Sequence, residues 1–325
     1  MPSIPRIRRQ RQVRAAAGEL GALAEPRIKE VTAQGLTWVH LERIDADTLQ
    51  ELAERFGWHE LDQEDVLSKR QRPKLDEYAE YLFVVLHFPV YDTAIQRLNA
   101  GELDFFLGHD YLVTLPNVEL LPVSRLFARC ETDEALREDL FAQGSGYLLY
   151  HVLDDLFDYC FPMLDKIGHK LDVIEDDLFE ERSEDAVRDI SNVKQEIISY
   201  RKIIKPERST LRLLERHTAR FLPEALDLYF DDLVDAAERI WDMLDNYKEV
   251  VEALEDTNES VIGHQTNYRL QLLTVFSVIF LPLTLISGIF GMNFAFSSAG
   301  FAAAVSVIGA LFVGALAFFR WKRWL

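Results

Sequence analysis

Asn267, Thr274, Leu281 and Gly288 recur every seven residues, and Leu270, Ser277, Thr284 and Gly291 repeat that spacing three residues further on. Seven-residue spacing holds one stripe of a helix toward a common axis in a supercoiled bundle. The amide and hydroxyl groups of such a stripe would line a pore. Ser and Thr in a membrane helix also bond back to their own carbonyls or to a neighbour, so the spacing alone leaves both readings open. Pro282 removes one backbone hydrogen bond beside Leu281, and the freed carbonyl could face water or be taken up by neighbouring groups. Just beyond, "GIFGMNFAFSSAG" (Gly288 to Gly300) sets one amide, Asn293, among glycines between two apolar runs.

Those runs are the elements that must position the stripe. "LQLLTVFSVIFLPLTLISGIF" (Leu270 to Phe290) and "FAAAVSVIGALFVGALAFF" (Phe301 to Phe319) contain no charged residue. Each has about the ~20 residues a helix needs to cross ~30 Å of hydrocarbon. The closing "RWKRWL" places Arg320, Lys322 and Arg323 on the cytoplasmic side, with Trp321 and Trp324 suited to the interface. The start, "MPSIPRIRRQRQVR", is basic but has no apolar stretch behind it, so it is not a secretory signal; it reads as a disordered tail able to touch the inner leaflet. Both termini are then expected in the cytoplasm, with two spans between them and the Asn293 loop outside.

Ahead of the membrane, "GLTWVHLER" (Gly35 to Arg43), "YLFVVLHFPVY" (Tyr81 to Tyr91), "GELDFFLG" (Gly101 to Gly108) and "DYLVTLPN" (Asp110 to Asn117) read as strands bounded by turn formers. "DADTLQELAERFGW" reads as a helix with an acidic N-cap. The expectation is an α/β domain over 27–146, behind a basic tail over 1–26. The β pattern ends at Gly146, and a helical region over 147–223 follows, which Pro162 and Pro206 are expected to kink or interrupt. A stalk helix over 224–269 leads into a first span over 270–290, an outer loop over 291–300, a second span over 301–319 and a tail over 320–325. Unbroken from Glu224 to Phe290, those 67 residues would extend ~100 Å. Two spans enclose no lumen, so transport by such a hairpin requires several copies around an axis.

Composition narrows the alternatives. With 49% hydrophobic and 27% charged residues and a net charge of -19, the chain can bury a core but lacks the basic stripe of a nucleic-acid binder. Cys130 and Cys160 stand alone, encoding neither a disulfide framework nor a zinc site. Glu175, Asp176, Asp177, Glu180 and Glu181 read as a solvated helix face. His151, His169, His217 and His264 read as structural or surface residues. "GSGY" (Gly144 to Tyr147) is too short to imply nucleotide binding, and the Asn258-Glu259-Ser260 sequon lies on the cytoplasmic side. No nucleophile, general base or cofactor loop stands out, which argues against an enzyme.

"FGMN" (Phe290 to Asn293) after "LPLT" (Leu281 to Thr284), with a second span and a basic tail behind it, resembles the CorA family of divalent-cation transport proteins. The likeness extends to "RPKLDEYAEYLFVVLHF" (Arg72 to Phe88) and "LYFDDLVDAAERI" (Leu228 to Ile240). The resemblance implies a funnel-shaped homopentamer of the inner (plasma) membrane that carries Mg²⁺ and, beside it, Co²⁺ or Ni²⁺, driven passively by the membrane potential. It implies a selectivity mouth at Gly291, Met292 and Asn293. Polar rings fall at Asn267 and Thr284, with Ser277 on the same pore-lining stripe, and apolar constrictions at Leu273 and Leu281. Regulatory Mg²⁺ between subunits would meet Asp65 and Asp232, with Asp256 as a further acidic site on the stalk. The partners so implied are further copies of the chain, divalent cations and lipid. Many relatives carry an acidic residue soon after Gly-Met-Asn, whereas "FAFSSAG" (Phe294 to Gly300) has none, which weakens the concentration of cations at the mouth. A Zn²⁺-transporting relative and a non-conducting membrane-anchored scaffold are the competing readings; Met292 between Gly291 and Asn293 speaks against the zinc branch, whose members vary that tripeptide.

Overall fold

A computed structural model of the chain describes residues 28–42, 45–68, 71–92, 97–179, 183–218, 221, 227–291 and 298–322. The basic tail, Met292 and Asn293, and Glu180 and Glu181 lie outside the described residues.

Strand β1 (Ile28–Ala33) turns back into β2 (Leu36–Leu41) through Gln34 and Gly35, both with positive φ (51° and 80°). That is the signature of the two-residue hairpin turn whose twist matches its strands, and Gly35 supplies the left-handed conformation without strain. Helix α1 (Ala46–Phe56) begins where Asp45 Oδ1 accepts the Thr48 N–H at 2.7 Å, and this bond holds the Asp45 carboxyl below its usual range. It ends at Gly57 in the left-handed region, as helix C-termini commonly do. After α2 (Glu60–Leu67) come β3 (Lys74–Glu77), β4 (Tyr81–Asp92), β5 (Arg97–Gly108) and β6 (Tyr111–Pro116). The sheet order is β1-β2-β6-β5-β4-β3, with β2 and β6 parallel and every other pairing antiparallel.

One sheet face is packed by Leu49, Leu52 and Trp58 from the α1 and α2 region against Phe83, Phe106 and Val113. Trp58 stacks on Phe106 with ring centroids 3.6 Å apart and planes 9° from parallel. On the other face Trp38 meets Phe127 of α3 (Leu121–Thr132) edge-on at 4.9 Å, and Phe88 meets Phe157 at 5.4 Å. Helix α4 (Glu134–Ala142) is capped by Asp133 and leads to α5 (Ser145–Phe179).

The described residues divide into two compact units: those up to Asp165 with those from Ile198 to Asp245, and those from Lys166 to Ile197 with those from Asn246 onward. The second takes in the end of α5, the start of α6 (Ser183–Thr218), the later part of α7 (Asp227–Gly291) and α8 (Ser298–Trp321). Ile167, Leu171, Ile174 and Leu178 are buried there at three- and four-residue spacing, as are Ala186, Ile190, Val193 and Ile197. Lys170 pairs with Glu196, and Lys194 with Glu255.

The strand expected in Gly35 to Arg43 is β2, which starts just after the turn residue Gly35, while its hairpin partner β1 carried no expectation. The edge strand β3 has only four residues, three of them charged, and carries no strand pattern of its own. Pro162 and Pro206, expected to kink or interrupt their helices, interrupt neither α5 nor α6, and α7 likewise continues through Pro282. Each proline leaves one carbonyl without its helical donor, a loss the surrounding turns carry.

Candidate functional site

Val275 and Ile279 of α7 are buried with Phe319 of α8, and Leu283 and Ala315 pack around them. This contact fixes which side of α7 is already taken. At 100° per residue, Asn267, Leu273, Thr274, Ser277, Leu281 and Thr284 point roughly 120–180° away from the Val275–Ile279–Leu283 line. All six are exposed, Leu273 at 63% and Leu281 at 69%, which makes them among the barest apolar side chains of the chain. The seven-residue stripe therefore occupies the face of α7 that α8 leaves open.

The hydroxyls of this stripe donate inward. Thr274 Oγ1 gives its proton to the Leu270 carbonyl at 2.8 Å, Ser277 Oγ to Leu273 at 2.8 Å, and Thr284 Oγ1 to Phe280 at 2.7 Å. The back-bonding anticipated as the alternative is thus present, and it does not exclude a polar lining. With the proton committed, each hydroxyl oxygen turns only lone pairs outward, the polarity a cation or its water shell meets favourably. Gly291 closes α7. Among the described residues one helical stretch, Tyr229–Ile289, is long and apolar enough to cross a membrane; its most apolar window has a mean hydropathy of 2.3 and is 11% buried. Val305–Trp321 of α8 is a shorter apolar helix.

The acidic residues form two separate groups in the first unit. Carboxylate oxygens of Asp62, Asp65 and Asp76 all lie within 4.8 Å of one another. Asp62 is buried and accepts from Tyr78 Oη at 2.9 Å and Tyr81 Oη at 2.6 Å; burial pushes its carboxyl up despite both bonds. Asp65 accepts from Gln71 Nε2 at 2.7 Å, and the Lys74 ammonium is shared between Asp65 and Asp76. Burial pulls Lys74 down, but the two carboxylates outweigh it, so it stays cationic. Lys74 thus stands where three acids could otherwise hold a metal ion.

In the second group, Asp232 of α7 is exposed and lies close to Asp154 of α5. Burial first, and then the charges of Asp158, Asp232 and Asp155, push the Asp154 carboxyl up to about 6. Asp154 went unmarked in the sequence, although "DDLFD" (Asp154 to Asp158) places Asp154 and Asp158 at like-charge i,i+4 spacing, which a helix tolerates at a cost. Among the described residues Asp65 and Asp232 share no hydrogen-bond or ion-pair partner. Asp256 is exposed on α7 near Lys194.

The other marked residues fall as read where they are described. Glu175 and Asp176 are exposed and Asp177 is half-buried. His169 and His264 are exposed, His217 pairs with Glu77 at 2.7 Å, and His151 packs among Tyr147 and Tyr150. Cys130 and Cys160 are free and buried, their thiols pushed up by burial to about 11 and about 12.

Residues 33–323 match the family described as CorA-like Mg²⁺ transporter protein. The chain belongs to this family. CorA-like proteins are ion transporters or channels rather than enzymes. The chain is 29% identical over 296 residues to a cobalt/magnesium transport protein CorA of Thermotoga maritima, covering 89% of this chain and 83% of the relative. It is 19% identical over 299 residues to a zinc transport protein ZntB of Yersinia enterocolitica, covering 90% and 89%. In fold it is similar to the complete CorA magnesium transporter of Methanocaldococcus jannaschii, with a TM-score of 0.78 at 21% identity over 94% of this chain and 97% of that one. The soluble α/β domain and the long helix are shared with such CorA structures.

Proposed function

We propose that this CorA-like chain forms a homopentameric channel of the inner (plasma) membrane that admits Mg²⁺, with Co²⁺ and Ni²⁺ as secondary cargo, and that metal bound between its cytoplasmic domains holds it closed. The observation that carries the reading is the exposed stripe of α7 opposite its contact with α8. A second span in α8 and both termini inside complete the proposed topology.

Around a five-fold axis, Asn293 amide oxygens would receive the ion with its water shell intact. Mg²⁺ sheds water reluctantly, so hydrogen bonds to its waters from neutral oxygens select it without the cost of dehydration. Below Gly291 and Met292, Thr284, Ser277 and Asn267 supply further outward lone pairs, while Leu281 and Leu273 form apolar constrictions that close by dewetting. A divalent ion gains ~4.6 kcal/mol per 100 mV of inside-negative potential, enough to drive uptake without coupling.

Closure is assigned to Asp65, Asp232 and Asp256. Asp154 reinforces Asp232: a half-buried carboxyl pushed up by burial and by neighbouring acids is a group that gains from a bound cation. At Asp65 the incoming ion must compete with Lys74, which sets a threshold for closure.

Mg²⁺ uptake into proteoliposomes under an inside-negative potential, wild type beside Asn293→Ala, tests the reading. Wild-type flux that vanishes in the variant supports it. Zn²⁺ carried in preference to Mg²⁺ would move the cargo to the class named by the zinc relatives. No flux with any of Mg²⁺, Co²⁺, Ni²⁺ or Zn²⁺ would leave a membrane-anchored scaffold.

A further inference from the structure

Away from the ion path and the two acidic groups, strand β5 carries Glu102 and Asp104 two residues apart and therefore on one face. Both are buried, at 5% and 3% exposure, and both stand in the wall of a cavity of about 160 Å³ whose other polar walls are Ser68 and Asn117. Val66 and Leu115 are among its apolar walls.

The two carboxyls differ in what holds them. Glu102 Oε2 accepts the Gln71 N–H at 3.1 Å and lies 3.2 Å from His87 Nε2. Burial pushes this carboxyl up, but those two partners outweigh it and keep it below its usual range. Asp104 has no such support: among the described residues its Oδ1 finds no hydrogen-bond partner. Its cross-strand neighbours are Val85 and Leu115, which offer it nothing polar from their side chains. A buried carboxyl without a donor costs several kcal/mol less only if a proton or a cation sits on it, and an apolar side chain at this position would have avoided the cost altogether. Among the described residues the cation that acts on Asp104, Lys74, is already bound to Asp65 and Asp76.

We propose that this cavity is a divalent-cation site of the Mg²⁺ type, enclosed within one chain, with the carboxylates of Asp104 and Glu102 as protein ligands and water completing the shell. The chemistry follows from the walls. Mg²⁺ characteristically takes one or two carboxylates and keeps several waters, whereas a softer metal would want sulfur or imidazole, which the lining lacks. At ~30 Å³ per water the space holds an ion with several of its waters. Two carboxylates exclude an anion. The site is distinct from Asp65, but Gln71 spans the two: its backbone N–H reaches Glu102 while its Nε2 reaches Asp65. A resident ion would thereby stiffen the segment that carries Asp65.

The test counts ions in the full-length protein in detergent, stripped with EDTA and titrated with Mn²⁺ while free Mn²⁺ is followed by electron paramagnetic resonance. Asp104→Asn is expected to lose one bound Mn²⁺ per chain, and Asp47→Asn, at an exposed position of α1, to keep the wild-type count. Equal counts in wild type and Asp104→Asn would overturn the site. Anomalous diffraction from Mn²⁺-soaked wild-type crystals gives a reading that does not depend on the variant folding. A peak between the two carboxylates, at metal–oxygen distances of about 2.1 Å, supports the proposal; peaks elsewhere with this cavity empty refute it. Neither readout involves ion flux, so a protein that fails to carry Mg²⁺ would sink the transport reading and leave this one standing.

Discussion

The sheet domain and the outer part of α7 satisfy their side chains in opposite ways. In the sheet, Trp58, Phe83 and Phe106 are enclosed by their own chain, and a buried acid such as Asp62 has its donors, Tyr78 and Tyr81, within the same unit. Along α7, Leu273, Phe276 and Leu281 are 58–69% exposed, and only the line through Val275 and Ile279 is covered. The aromatic core of the first region is complete in one chain. On the proposed reading the second is completed by lipid and by further copies, since an apolar helix face of that extent is not expected to remain in water.

The widest separation between the regions is expected from truncating one apolar side chain in each. Phe106→Ala should cost about 3–5 kcal/mol of sheet-domain stability, as large-to-small changes at enclosed aromatics do, seen as a lowered denaturation midpoint. Leu281→Ala removes a side chain that its own chain does not enclose; the sheet-domain melting transition should stay in place while Mg²⁺ leak through proteoliposomes rises. Equal destabilisation by the two would break the contrast.

A somewhat smaller effect concerns pH. Asp154 titrates at about 6 in the fold against 3.8 ordinarily, so the folded protein holds this proton when the unfolded chain has released it. Without divalent cations, stability should therefore fall as pH rises from about 4 to about 6, by up to about 3 kcal/mol. Asp154→Asn should flatten that part of the profile. Added Mg²⁺ at pH 7 should restore stability to the wild type more than to the variant, as thermal melts at several pH values would record.

The smallest of the three is at Asp65. Lys74→Met removes the ammonium that Asp65 and Asp76 share, and cytoplasmic Mg²⁺ should then close the channel at about tenfold lower concentration, a change of about 1.4 kcal/mol. Flux measured against internal Mg²⁺ would read it, and an unmoved midpoint would mean that Lys74 does not compete.

What the sequence disclosed follows the same division. Helix α1 was legible from Asp45 and its apolar spacing, and β4 to β6 from runs of aromatic and branched residues that both sheet faces enclose. The edge strands were not: "IKEVTA" and "KLDE" mix charges into half-solvated positions, and their pairing partners alone make them strands. The period of the α7 stripe could be counted, but which side α8 would cover depends on Val275, Ile279 and Phe319 meeting in space. Asp154 escaped for the same reason, since its neighbour Asp232 is 78 residues away in sequence. The mouth at Met292 and Asn293 rests on sequence alone.

Which face of α7 meets the ion is tested most directly by single cysteines at Thr274, Ser277, Leu281 and Thr284 on one side and at Val275, Ile279 and Leu283 on the other, probed in proteoliposomes with a membrane-impermeant thiol reagent while Mg²⁺ flux is followed. The native Cys130 and Cys160 are buried and give little background. Labelling and block confined to 274, 277, 281 and 284 is the expected result; labelling and block at 275, 279 and 283 instead would contradict a pore on the open face of α7.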